Sequence, residues 1–102
     1  MASRIELHER LCELLGNRNV YFQPPEGKKI YYPCVVYERA HYKTLPADDN
    51  IYLGRKQYTL LLIYEDPDSE LPDKILSGFS LISHDRAYQA DNLNHDAYEL
   101  YW

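Results

Sequence analysis

The sequence predicts an α+β fold, in which an N-terminal helix and a second helix pack on an antiparallel or mixed β-sheet. The chain has 102 residues, close to the commonest size for a domain with one core. It is 45% apolar, and only 4 Gly and 6 Pro interrupt it. Two segments show helical spacing of apolar residues, and they alternate with groups of extended, hairpin-like segments. We therefore predict a single domain over residues 1–102.

The first helix is predicted over residues 5–15. Ser3 followed by Glu6 forms a capping box, a pattern typical of a helix N-terminus. Four leucines recur at helical spacing and predict one apolar stripe that faces the core: Leu7, Leu11, Leu14 and Leu15. Gly16 then supplies the left-handed residue that commonly ends a helix.

Three strands are expected next. Residues 20–22 form a short strand that Pro24 ends, and residues 34–39 form a β-branched strand. Residues 56–64 contain the longest continuous apolar run of the three, which predicts a central strand buried on both faces. Residues 40–53 are polar and rich in turn residues, and an irregular stretch of that length is often functional.

The second helix is predicted over residues 70–78, because Leu71, Ile75 and Phe79 follow at spacings of four. A final hairpin is predicted with arms at residues 87–90 and 97–102. Its turn is predicted over residues 91–95. The expected order is therefore α, β, β, β, α, β, β.

The net charge of −5 conceals an asymmetry along the chain. Residues 1–57 carry nine Lys/Arg and seven Asp/Glu, whereas residues 58–102 carry two and nine. If this split follows opposite sides of the fold, the molecule is dipolar and suited to head-to-tail packing. An acidic chain without a Lys/Arg-rich run is a poor candidate for tight DNA binding. The basic pairs at 28–29 and 55–56 are interpreted as solvated strand edges.

The apolar runs, the N-terminal segment and the cysteine spacing together predict a soluble, intracellular protein. No apolar run approaches the length of about 20 residues that spans a bilayer. The N-terminus lacks the long apolar core of a signal peptide. Cys12 and Cys34 lie far apart without a CxxC spacing, so we expect two reduced, partly buried thiols.

The sequence contains few patterns typical of catalytic, metal-binding or phosphate-binding sites. His84-Asp85 and His95-Asp96 pair a base with a carboxylate, but adjacent residues on a strand point to opposite faces. The alternating acids of residues 66–70 lack the glycine and final glutamate of a calcium loop, and helix capping explains them better. There is no zinc spacing and no phosphate-binding glycine motif. We predict no enzymatic activity, no metal and no cofactor.

Three parts of the chain stand out together: Tyr32-Pro33-Cys34-Val35-Val36-Tyr37 with the Asp48-Asp49-Asn50-Ile51-Tyr52 loop, Tyr58-Thr59-Leu60-Leu61-Leu62-Ile63-Tyr64 running into Asp66-Pro67-Asp68-Ser69, and residues 88–102. These parts resemble the tail terminator, or tail-completion, proteins of long-tailed bacteriophages. Small proteins of the head–tail neck are similar in size and in this kind of sequence. The resemblance covers most of the chain, and its motifs are short structural segments without catalytic signatures.

This resemblance implies a structural virion protein that forms a ring, usually a hexamer, at the head-proximal end of the viral tail tube. The ring stops tube polymerisation and joins the tail to the head connector. Its partners are copies of itself, the tail-tube protein and the connector or neck protein. DNA passes through the ring without specific binding, and an acidic channel would repel its phosphates. The expected location is the virion tail or neck, after assembly in the host cytoplasm and without a membrane.

Two loops are the predicted contact sites for the ring and its partners. Their candidate residues are Asp48, Asp49, Asn50, Tyr52 and Arg55 in the first, and Asp91, Asn92, Asn94 and His95 in the second. The alternative is that both are plain hairpin turns, in which Asn and Asp serve the backbone. Two other functions stay open: another neck protein (head completion or connector), and a small monomeric protein-binding module.

Overall fold

A mixed β-sheet forms the centre of the part that the computed structural model describes, residues 3–40 and 56–102. Within these residues there are two helices and five strands: α1 (Arg4–Leu15), β1 (Val20–Phe22), β2 (Cys34–Arg39), β3 (Gln57–Tyr64), α2 (Leu71–Ser77), β4 (Ile82–Ala90) and β5 (Leu93–Tyr101). The strand order is β1-β2-β3-β5-β4. β1 runs parallel to β2, and the other neighbours are antiparallel. The α+β prediction and the element order are confirmed.

Helix α1 begins and ends where its caps predict. The Ser3 side chain accepts a hydrogen bond from the Glu6 backbone N–H at 3.2 Å. At the other end Gly16 adopts φ 82°, and its N–H donates to the Cys12 carbonyl at 2.9 Å. Such left-handed caps satisfy carbonyls that the helix would otherwise leave unpaired.

Both helices cover the same face of the sheet. Leu7, Leu11 and Leu15 of α1 are buried, as the leucine stripe predicts. Ile75 of α2 joins the same core, and Leu71 and Phe79 pack against it. The strands contribute buried side chains at alternate positions: Val35, Tyr37, Tyr58, Leu60, Leu62, Tyr98 and Leu100. Three of these are tyrosines, which explains how so many aromatic residues fit a small core.

The apolar strand β3 lies at the centre of the sheet, as predicted, but the prediction that both its faces are buried is wrong over residues 57–62, where buried and partly buried residues alternate. Leu60 is paired with Tyr37 of β2 on one side and with Tyr98 of β5 on the other. Because strand order nearly follows chain order, the N-terminal half of the chain forms one edge of the sheet. The C-terminal half forms the opposite edge.

The final hairpin is longer than predicted, and its turn is shorter. Asp91 and Asn92 adopt φ values of 53° and 63°, which give a two-residue turn of the kind that closes tight hairpins. Asn94 and His95 therefore belong to β5, and the prediction that they lie in the turn is wrong. β4 starts at Ile82, not near residue 87. Its polar, exposed residues lack the apolar alternation by which strands are recognised.

Both cysteines are buried free thiols. Burial raises the pKa of Cys34 to about 12 and also raises the pKa of Cys12. A thiol with a raised pKa is protonated at neutral pH and reacts poorly. Across residues 3–40 and 56–102, no helix has the length and apolarity needed to cross a membrane.

Candidate functional site: the β4–β5 hairpin

Strand β4 of the β4–β5 hairpin is the most exposed regular element of the described chain. Each arm has nine residues, and eight of the nine in β4 are exposed. Among the described strands, β5 is the only partner of β4, so β4 is an edge strand. The backbone N–H and C=O groups along such an edge are available to another chain.

The structure brings four predicted contact residues together in this hairpin, in two different roles. Asp91 and Asn92 form its exposed tip. The Asn94 side-chain amide donates to the Glu65 carbonyl at 3.2 Å, and this bond ties β5 to the end of β3. His95 stacks on Tyr88, with ring centroids 4.7 Å apart and planes within 10°. The tip residues are therefore free to meet a partner, and the other two stiffen the hairpin.

The first predicted contact segment lies outside the described residues. Asp48, Asp49, Asn50, Tyr52 and Arg55 all fall within residues 41–55. Their contact role stays a prediction.

A buried carboxylate anchors the hairpin to the rest of the sheet. Asp96 of β5 is 6% exposed. The Tyr64 hydroxyl of β3 donates to its Oδ2 at 2.5 Å, and His84 Nε2 of β4 lies 2.8 Å from its Oδ1. Both carboxylate oxygens therefore have a partner, and the three residues link three neighbouring strands. A buried carboxylate needs such partners, because leaving it unpaired is costly.

The surroundings of Asp96 extend this anchor to α2. The Tyr98 hydroxyl donates to the Pro72 carbonyl at 3.2 Å, and the His84 ring meets the Tyr98 ring edge-on at 5.2 Å. Burial and the hydrogen bond to Asp96 together raise the pKa of Tyr64 to about 12. Burial and the nearby Asp96 likewise raise the pKa of Tyr98. These phenols stay protonated and act as hydrogen-bond donors.

A carboxylate that orients a histidine, as Asp96 does for His84, is also part of hydrolytic triads, which further need a nucleophile. The hydroxyls that surround Asp96 belong to Tyr64 and Tyr98, and raised pKa values make both poor nucleophiles. No group of three or more His, Cys, Asp or Glu suited to a metal occurs within the described residues. The arrangement can hold a hairpin in place, and that is the role that its geometry supports.

No sequence pattern predicts this cross-strand pair. The contact joins His84 of the His84-Asp85 dipeptide to Asp96 of the His95-Asp96 dipeptide, and neither dipeptide alone predicts it. His84 is paired with Tyr98, so Asp96 is its diagonal neighbour two residues along β5. A register shift between His84 and Arg86 sets this alignment. The Asp91-Asn92 turn fixes the register of the arms only as far as Arg86, so it does not reveal this pair.

The opposite edge of the sheet carries a loop of different chemistry. We name residues 28–32 the tyrosine–lysine loop. Its Lys28 and Lys29 lie over the rings of Tyr21 and Tyr31, at 5.8 and 5.3 Å from the centroids. The Tyr31 N–H donates to the Tyr21 hydroxyl at 3.3 Å, so the loop is fastened beside β1. Tyr31 and Tyr32 remain 56% and 41% exposed.

The chain was compared with known protein families, curated proteins and solved structures, and none of the three comparisons returned a match.

Proposed function

We propose that the chain is a structural virion protein, a tail terminator that forms a ring at the head-proximal end of a bacteriophage tail tube. The observation that carries this proposal is that the two edges of the sheet differ. One edge holds the short β1 and the tyrosine–lysine loop, and the other holds the long, exposed β4. The resemblance stated from the sequence gives the class of assembly.

Unlike edges favour a heterologous contact, in which one patch meets a different patch on the next copy. Contacts of that kind close into rings or extend as filaments. A standard protein contact covers about 800 Å² of each partner. Two of them would occupy about a quarter of the 6940 Å² surface of this chain, which leaves room for a tube and a connector on the remaining faces.

The proposed mechanism is differential binding, with no bond made or broken. One face of the ring binds the last ring of the tube and blocks further addition, and the other face binds the connector. Five carboxylates around the start of α2 are all exposed: Glu65, Asp66, Asp68, Glu70 and Asp73. An acidic patch of this kind, turned toward the channel, would repel passing DNA. An assembled ring with a net basic channel would contradict this part of the proposal.

Native mass spectrometry over a concentration series, with and without magnesium, tests the proposal. The expected result is a ring-sized multiple of the 12.1 kDa subunit, formed alone or on added tail-tube protein. Failure to assemble in either condition, together with no binding to the tube, would overturn it.

A second candidate is a monomeric protein-binding module. The observation that favours it is the exposure of Tyr31, Tyr32 and Tyr88, since tyrosine is enriched at protein interfaces. The same series separates the two functions, because a binding module stays monomeric and ignores the tail tube. A neighbouring neck protein would instead bind the connector and leave the tube uncapped.

A further inference from the structure

We infer that copies of this chain join edge to edge, with the tyrosine–lysine loop of one copy docked against the outer side of the β4–β5 hairpin of the next. The inference rests on the proposed function for its biological setting, since it names the two surfaces through which the ring would close. Its test, however, measures only self-association.

The first argument is charge complementarity. The N-terminal and C-terminal strands lie at opposite edges of the sheet, because strand order nearly follows chain order. Lys28 and Lys29 project from the loop at the β1 edge, and both are exposed. At the β4 edge three acids, Asp85, Asp91 and Glu99, and one cation, Arg86, are exposed. Opposite charges on the two edges steer copies into a head-to-tail arrangement and disfavour edge-to-edge pairing of like surfaces.

The two edges are also guarded unequally against pairing with another chain. β1 has three residues, and the loop that follows Pro24 and Pro25 is fastened beside it. Short strands, prolines and lysines are the usual devices that block pairing at an edge. β4 has nine residues and contains neither proline nor lysine. Its one irregularity is the register shift between His84 and Arg86. The five residues beyond it form a regular, open edge.

The third argument is the match of aromatic residues. Tyr31 and Tyr32 are large exposed side chains at one edge, and Tyr88 is 41% exposed at the other. Tyr88 is held in place by His95 on one side and by Arg86, whose guanidinium lies 5.3 Å from the ring centroid. Preorganised aromatic side chains at both surfaces lower the entropy cost of contact.

The geometry suits a repeating assembly. The two edge strands are separated by four strand spacings, which is about 19 Å. The two surfaces are therefore too far apart to pair within one subunit, and each remains available to a neighbour. Such a contact leaves the helix-covered face untouched.

A charge-swap experiment tests the inference. Variant A carries Lys28→Glu and Lys29→Glu, and variant B carries Asp85→Lys and Glu99→Lys. Each alone places like charges at the contact, so we expect at least about a tenfold rise in the dissociation constant for self-association. Mixed together, the acidic loop of A meets the basic hairpin of B, and both wild-type surfaces also meet. The mixture should assemble again, with equal numbers of A and B.

Matched controls carry the same charge changes elsewhere: Lys56→Glu with Lys74→Glu, and Glu65→Lys with Asp68→Lys. They should associate like the wild type. Circular dichroism melts of every variant confirm folding before native mass spectrometry. A further expected result is weaker wild-type association in added salt, which screens exposed charges.

Three outcomes would overturn the inference: a wild type that stays monomeric at concentrations on the order of 100 μM, variants that associate like the controls, or a mixture that fails to recover. A two-fold dimer through β4 alone would give the second result for variant A, since that variant keeps the wild-type hairpin. The proposed function fails by a different observation, normal tail lengths in particles made without the chain, so the two failures are distinguishable.

Discussion

Replacing Tyr64 with Phe tests whether the buried carboxylate anchors the hairpin. The substitution keeps the ring, which is 9% exposed in the core, and removes only the hydroxyl. That hydroxyl is the donor to Asp96 Oδ2, at 2.5 Å. Because Asp96 is itself buried, its oxygen would be left without this donor in a poorly solvated position.

The magnitude follows from the type of bond that is lost. Hydrogen bonds to a charged group contribute about 1.5–3 kcal/mol, so we expect the free energy of unfolding to fall by about 2 kcal/mol. For a domain of this size the melting temperature should fall by roughly 8–16 °C. The loosening should concentrate in β4, because β4 is joined to β3 through Asp96 and the intervening β5.

Urea unfolding gives the free energy, and amide hydrogen exchange locates the change. Tyr88→Phe is the matched control, since it removes the same atom from an exposed residue on the same hairpin. It should change stability by less than about 0.5 kcal/mol. If Tyr64→Phe and Tyr88→Phe have the same effect, or if exchange in residues 82–90 is unchanged, the anchoring role of Asp96 is wrong.

Three further predictions concern other parts of the fold. Burial and Arg4 lower the pKa of His8, whose Nδ1 lies 2.9 Å from the Tyr37 hydroxyl. The contribution of His8 to the free energy of unfolding is therefore present above its ordinary pKa of 6.5 and is lost as pH falls. Urea titrations between about pH 7 and about pH 5 should show a shallower loss of stability for His8→Gln, and an unchanged slope would contradict this. Gly16→Ala should cost about 1–2 kcal/mol, because Gly16 adopts φ 82° with nothing within 4 Å of an added Cβ, and thermal melts that show no loss would refute the backbone argument. Cys34 should resist thiol reagents in the folded protein, since burial raises its pKa to about 12, and rapid labelling under native conditions would contradict its burial.

The sequence predicted the elements whose apolar residues face the core. Helix α1 and strands β1, β2 and β3 lie within one residue of their predicted bounds, because a leucine stripe, a capping box and apolar runs mark them. Helix α2 was found through its spacing of Leu71 and Ile75. In each case burial leaves a periodic pattern in the chain.

The hairpin shows where this reasoning fails. β4 is exposed along nearly its whole length, so its apolar residues do not alternate with polar ones. The sequence therefore does not predict the first half of this strand. The turn was placed over five residues, but a positive φ at Asp91 and at Asn92 closes it in two. Of the candidate site, the sequence therefore identified the tip.

The contacts of Asp96 with Tyr64 and His84 cannot be predicted from the sequence, for a different reason. Its contacts depend on register, which a bulge near Asp85 shifts by one residue, and on Tyr64 from a strand about thirty residues away in the chain. Cross-strand diagonals of this kind leave no local pattern. The sequence predicts a solvated strand edge at the basic pair of residues 28–29, but the position of the tyrosine–lysine loop at the edge opposite β4 follows only from the strand order.

The measurement that tests the central claim most directly is the distribution of tail lengths in virions assembled without this chain, counted by electron microscopy. The account predicts overlong or headless tails, and restoration of a single length when the wild-type chain is supplied. Tails of normal length that are joined to heads would contradict the proposal that this protein terminates the tail tube.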